Sequence, residues 1–250
     1  MAVQLEDARI LKRTVQLGVH FMPSLDADAD KDQLMDFARC VRAHDPRVFN
    51  KYSLNATAPN GQRAVLMFER DIILRAVGQA HNMPLVIFPN NMEVAQLYRI
   101  PEAGKAEIDG QDRPRDDDFD KMVRPIMRFF WDKLKNVDVV RIGKVYEHVW
   151  GPFEEHEALE WMLQRFVRQP KGMTVVGANA VLVFQENDMN INLVVQSGKG
   201  PQGSVMSTRL DINNIDVTQR LQMNDLDKIL NLATRFRAER FDTLLMGETQ

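Results

Sequence analysis

Cysteine is almost absent from this 250-residue chain. Cys40 stands alone, so no disulfide can close within one molecule. One cysteine, behind an N-terminal MAVQLEDARILKR that lacks the apolar core of an export leader, predicts a reducing, cytoplasmic setting. Cys40 lies beside the apolar face of a predicted helix, which predicts a buried, inert thiol. Long hydrophobic runs are missing too. No stretch approaches the roughly 18 apolar residues of a membrane-spanning helix, so no membrane partner is expected. An excess of one charge is also absent: 32 Lys and Arg face 35 Asp and Glu, for a net charge of −3. Phosphate backbones are bound by a dominant basic face, so the overall charge argues against nucleic acid. No GxSxG, CxxC or Walker sequence occurs. The reading therefore assigns no catalytic residue, metal or cofactor, and a non-enzymatic role is favoured. With 44% hydrophobic and 27% charged residues, the chain has the material for one large core or two smaller ones.

What the chain does contain is a pattern written twice. VRIGKVYEHVWG, from Val140, is rich in β-branched and aromatic residues and leads through Pro152 and acids into the amphipathic HEALEWMLQRFVR. Near the start, VQLGVHFM leads through Pro23 and acids into KDQLMDFARCVR. One constant offset takes Val15, Leu17 and Gly18 onto Val140, Ile142 and Gly143. The same offset takes Leu34, Phe37, Ala38 and Val41 onto Leu159, Met162, Leu163 and Phe166, an i, i+3, i+4, i+7 helical face in each case. AVLMF at 64–68 has its counterpart in AVLVF at 180–184. These matches predict an internal duplication.

In chain order the reading gives a strand over 9–22, a helix from Lys31 to Ala43, and strands through 48–57, with an Asn60-Gly61 hairpin turn into RAVLMFER. A tight turn at ERD then leads into IILRAVG. PLVIFP follows, and then a segment from Met92 to Ile100. Residues 101–117 read as a polar loop or linker. A helix over 117–135 carries Phe119, Met122, Val123, Ile126, Phe129, Phe130 and Leu134, with Pro125 marking its first turn or a kink. The second unit has a strand over 137–150, a helix over 154–168 and a strand MTVVGANAVLVFQ. A turn at Glu186-Asn187-Asp188 precedes MNINLVVQSG, followed by the strand SVMSTRLDIN and a last helix from Asp225 to Met246. The expected fold class is α+β: a duplicated strand-helix-three-strand-helix unit, with an antiparallel sheet and helices packed on one face. The units are 1–136 and 137–250, either as two or as one continuous domain.

The order and wording resemble an uncharacterised, sporadically distributed bacterial family whose members open with an LQLGVHF-like strand. They carry a VRIGKVYEH-like strand near mid-chain and an LDIN-like strand before the final helix. The matching places here are Leu17 to Phe21, Val140 to Glu147 and Leu210 to Asn213. The segment 80–116 has no counterpart, and HVWGPFEEHE departs from the expected Asn-rich continuation. That family implies no activity. A more distant, purely topological likeness is to duplicated GyrI-like modules, which implies small-molecule binding in a cleft between repeats.

Candidate chemistry gathers at Tyr146, Glu147, His148, Trp150, Glu154, Glu155, His156 and Glu157. Histidines with carboxylates can bind metal or exchange protons. The spacing from His148 to His156 fits no metal motif, however, and acids at 154–157 serve a helix first turn equally well. Tyr146, Glu147 and His148 are the candidate ligand-binding groups. Asp26, Asp28, Asp30 and Asp32 imitate the start of a calcium loop. Lys31 and Phe37 stand where such a loop needs Gly and Glu, so helix capping is the better reading. GKGPQGS at 198–204 leads into a strand, which makes it a hairpin loop and not a phosphate cradle. His20, His44 and His81 are scattered. Lys228, Arg235, Arg237 and Arg240 give the last helix a basic side, the candidate interaction surface. Asn190, Asn192 and Gln196 share one polar strand face. Two functions follow as expectations. One is a binding or assembly protein that forms a homo-oligomer or takes a protein partner, because sheet edges need covering. The other is a small-molecule-binding or hydrolytic protein with a cleft between the repeats.

Overall fold

A computed structural model describes residues 10–26, 29–44, 51–54, 66–69, 73–74, 80–82, 85–87, 91–99, 116–134, 136–154, 156–166, 175, 177–200 and 203–246. The expected Asn60-Gly61 turn, the ERD turn and the 101–115 stretch lie outside these residues. The strands are β1 (Ile10–Met22), β2 (Lys51–Leu54), β3 (Leu66–Glu69), β4 (Ile73–Leu74), β5 (Ala80–Asn82), β6 (Leu85–Ile87), β7 (Asn91–Arg99), β8 (Asp138–Phe153), β9 (Asn179–Glu186), β10 (Met189–Gly200) and β11 (Gly203–Asn214). The helices are α1 (Lys31–His44), α2 (Asp116–Lys133), α3 (Glu157–Arg165), α4 (Met223–Glu239) and α5 (Phe241–Met246).

All described strand pairs are antiparallel, and they form one sheet in the order β2-β3-β6-β7-β1-β8-β11-β10-β9, with β4 and β5 off this path. The long strands β1 and β8 lie side by side at its middle, with Gly18 directly opposite Gly143. Strand alternation then sorts the side chains. Val15, Leu17, Val19 and Phe21 of β1 share a face with Ile142, Tyr146 and Trp150 of β8, Met206, Leu210 and Ile212 of β11, and Ile191, Leu193 and Val195 of β10. All of these are buried in one core cluster.

The helices close over that face because each carries an apolar stripe of helical period. Phe119, Val123, Ile126, Met127 and Phe130 of α2 are buried, and the Phe130 ring meets Phe21 at 5.4 Å and Phe37 of α1 at 5.8 Å. Trp161 and Met162 of α3 and Leu226, Ile229, Leu230, Ala233 and Phe236 of α4 complete the cluster. Pro125 lies well inside α2, not in its first turn. Two further corrections concern helix ends. The last helix breaks at Arg240 into α4 and α5. Helix α3 begins at Glu157, after His156 in a left-handed conformation (φ 78°), so Glu154 precedes the helix and does not belong to its first turn. Cys40 is half-buried, not fully enclosed as expected.

Local chemistry sets the connections. Asn187 and Asp188 both adopt positive φ (49° and 61°), the two-residue turn whose twist suits a β9–β10 hairpin. Strands β10 and β11 pair out to Gly200 opposite Gly203. At the far end of β11 the side chain of Asn214 takes over the ladder. Its Oδ1 accepts the Ile142 N–H at 2.9 Å while its Nδ2 donates to the Val140 carbonyl at 3.0 Å. Helix α4 starts with a reciprocal cap, in which Asp225 Oδ2 accepts the Gln222 N–H at 2.9 Å. Asp26 and Asp30 act as capping acids before α1: Asp26 Oδ1 accepts the Ala29 N–H at 2.8 Å, and Asp30 Oδ2 accepts the Asp26 N–H at 2.9 Å.

Candidate functional site

Strand β8 divides the candidate residues between two faces. Even-numbered positions from Ile142 to Trp150 turn toward the helices, so Lys144 and His148 are carried inward with the apolar residues. Lys144 is fully buried. Its ammonium donates to Asp120 Oδ1 of α2 at 2.6 Å and to Thr234 Oγ1 of α4 at 3.0 Å, and the Thr234 hydroxyl donates to Asp120 Oδ2 at 3.1 Å. The same ammonium lies 5.1 Å from the centre of the Tyr146 ring and 5.9 Å from that of Phe119. An ion pair, a hydroxyl and two aromatic faces thus join strand, α2 and α4 at one point. Burial holds the Asp120 carboxyl above its ordinary range, with the Lys144 charge opposing it. Two residues beyond Tyr146, the buried His148 ring stacks on Trp150 at 5.6 Å and meets Phe241 of α5 at 5.8 Å. The Trp150 indole N–H points to Thr208 Oγ1 at 3.4 Å.

Glu147 projects from the opposite face. There it accepts from Arg209 of β11 at 3.2 Å, both side chains being more than a third exposed. Tyr146 and His148 therefore share a buried face that Glu147 does not reach. The expected trio does not converge, because residues adjacent along a strand point to opposite sides. An exposed pair of this kind contributes little. Glu147→Gln is expected to change unfolding stability by less than about 1 kcal/mol; a loss several times larger in a urea titration would show that this pair carries structural weight.

The face bearing Glu147 has Gly18 and Gly143 at its middle. Among the described residues no atom lies within 4 Å of where a Gly18 Cβ would sit, whereas a Cβ on the buried Gly143 would meet Asn213 Cβ at 3.2 Å and Asp211 Oδ1 at 3.3 Å, so the open space lies over Gly18. Polar groups surround it: Gln16 and His20 of β1, Arg141 of β8, and Asp211 and Asn213 of β11, whose Asn213 Nδ2 donates to Asp211 Oδ1 at 3.0 Å. Desolvation and the Arg141 charge lower the His20 pKa, while Asp211 raises it. Asn190, Asn192 and Gln196 extend the same face along β10, as their shared parity predicts.

No family model matches the chain, and no curated protein matches it.

The basic residues of the last helix are engaged within the molecule. Arg235 and Arg240 both reach Glu186, at 3.3 and 2.5 Å, which ties α4 to the β9–β10 turn. Arg237 lays its guanidinium 4.5 Å over the Phe241 ring, and Lys228 pairs with Asp225 one turn back at 2.9 Å. His156 is exposed, far in character from the buried His148. The side chains of His44, His81 and Glu155 lie outside the described residues. Among the described residues no group of His, Cys, Asp and Glu is placed to hold a metal ion. No described helix is long and apolar enough to cross a membrane. The residues that sequence reasoning missed, Lys144, Asp120 and Thr234, had one available signal: Lys144 shares its parity with Ile142, Tyr146 and Trp150.

Proposed function

We propose that this chain is a cytoplasmic binding or assembly protein without catalytic machinery of its own, built from two related halves and acting as a homo-oligomer. The observation that carries this reading is the division of β8. Its buried Lys144 joins α2, α4 and the sheet, while the opposite face carries Gln16, His20, Arg141, Glu147, Asp211 and Asn213 around Gly18. The two-halves part is supported by strand order. Counting outward from the β1–β8 pair, β7, β6 and β3 follow on one side and β11, β10 and β9 on the other, each series flanked by a helix on the same plan. The constant offset that aligns the two sequences also maps Gly18 onto Gly143, the pair that faces each other where the halves meet. Leu66 to Phe68 of AVLMF lie in β3 and AVLVF lies in β9, each third from the β1–β8 pair, which supports the same reading.

The second reading, a small-molecule-binding or hydrolytic protein, is favoured by one specific feature. The junction of the halves has a floor without side chains at Gly18, bordered by His20, Arg141, Asp211 and Gln16, which suits a flat polar ligand. Native mass spectrometry of protein isolated without chelator tests both. An oligomer with nothing retained is expected for the assembly reading. A retained small molecule that is lost in Gly18→Phe would establish the second reading instead. A monomer that retains nothing would remove the first.

A further inference from the structure

We propose that β9 is a dimerisation edge, pairing antiparallel with β9 of a second copy about a two-fold axis at Leu182. The inference rests on the homo-oligomer reading above and names the surface that would carry it. Strand β9 ends the sheet path, and among the described residues its only strand neighbour is β10. Natural sheets blunt such edges with lysine, proline, bulges or a covering element. Residues Asn179 to Gln185, NAVLVFQ, contain no charge, no proline and no register shift against β10. Glu186, the one acid of the strand, is drawn toward Arg235 and Arg240. Val181 and Val183 are left 57% and 61% exposed, the highest values among the described large hydrophobics after Met22.

The chain itself shows what such a strand accepts. On the other side of the sheet β3 stands as far from the centre as β9 does, and β3 is covered: β2 pairs with it antiparallel, Ser53 opposite Met67. The last described strand before β9 is β8, and α3 alone separates the two among the described elements, so the second half has no described counterpart of β2. A second copy supplies one.

The geometry is self-complementary. The two-residue turn at Asn187-Asp188 makes Glu186 and Met189 the hydrogen-bonded pair that closes the hairpin. By alternation, Phe184, Leu182 and Ala180 also bond to β10, so the peptide groups of Asn179, Val181, Val183 and Gln185 point outward. A two-fold axis at Leu182 sets Val181 against Val183 of the second copy and Asn179 against its Gln185. All four outward residues then meet outward residues, giving about eight new backbone hydrogen bonds. Both copies keep their helices on the same face of one continuous sheet, and the two exposed valines pack against their counterparts.

Sedimentation velocity across the micromolar range, with hydrogen exchange at low and high concentration, tests this. Wild-type protein is expected to sediment as a dimer at high concentration, with the Val181 and Val183 amides gaining protection as concentration rises. Val183→Pro removes an outward N–H without touching the β10 ladder, and Val181→Lys with Val183→Lys sets like charges across the axis. Each is expected to weaken the dimer by about tenfold or more, with the thermal midpoint retained for the lysine variant. An oligomer insensitive to the lysine pair, or amide protection there that does not change with concentration, would overturn the β9 edge while leaving the assembly reading standing. A wild-type monomer throughout would overturn both.

Discussion

Asp120→Ala is expected to destabilise the protein by about 3–5 kcal/mol, because it leaves the Lys144 ammonium buried without its carboxylate. The two single changes at this pair are not equivalent. Lys144→Met leaves a carboxyl that burial already holds above its ordinary value of 3.8, and a carboxyl can escape its burden by taking a proton. The sign follows from linkage. A group whose pKa is raised on folding favours the protonated folded form, so its contribution is fully present below the unfolded value and is lost as pH rises through the folded one. In Lys144→Met the opposing lysine charge is gone and the carboxyl rises further. That variant is therefore expected to lose stability relative to wild type as pH rises from about 4 toward 8. Urea unfolding at several pH values measures it. Parallel curves for the two proteins would mean that Asp120 does not titrate through this pairing. The double change Lys144→Met with Asp120→Leu is expected to recover most of the loss, since a buried ion pair and well-packed apolar side chains are often close in free energy.

Gly203→Ala is the second large effect. Gly203 opens β11 at φ +146°, and a Cβ there would run into the carbonyl oxygen of Phe153 at the end of β8. Both strands are fixed at this point by Ser204, which pairs with Phe153 and donates its hydroxyl to the Glu154 carbonyl at 2.6 Å. The backbone conformation alone costs an alanine about 1–3 kcal/mol, and the collision adds to it. A loss near 3 kcal/mol corresponds to a fall of about 6–12 °C in thermal midpoint for a chain of this size. Gly18→Ala is the matched control. Among the described residues nothing crowds a Cβ there, and its φ is not positive, so its midpoint is expected to stay within a few degrees of wild type. Equal losses in the two variants would show that chain flexibility, and not the fit at Phe153, decides the Gly203 effect.

Much of the layout was legible along the chain because periodicity is local. The 3.6-residue stripe of Phe119, Val123, Ile126 and Phe130 announced α2. The alternation of Ile191, Leu193 and Val195 announced the buried face of β10. Asn187-Asp188 and the 198–204 glycines announced their hairpins. Less local features escaped. His156 takes a left-handed conformation just before α3, so the acids at 154–157 are divided, although composition alone groups them. Arg240 ends α4 because Phe241 turns into the core, and the helical pattern runs through that point without a break.

The candidate site divides along the same line. Strand parity by itself places Tyr146 and His148 on one side and Glu147 on the other, and it also carries Lys144 inward. Parity cannot say what meets Lys144. Asp120 and Thr234 lie 24 and 90 residues away on two different helices, and nothing near either announces the contact. Likewise the spacing of Arg235, Arg237 and Arg240 marks a basic helical side, but only the tertiary structure brings two of them to Glu186 and one onto Phe241. The sequence alone determined which faces are apolar, since that depends on periods of two and 3.6 residues within one segment. The tertiary structure decided which charges became partners, because burial makes a charge choose the nearest opposite group in space, however far along the chain that group lies.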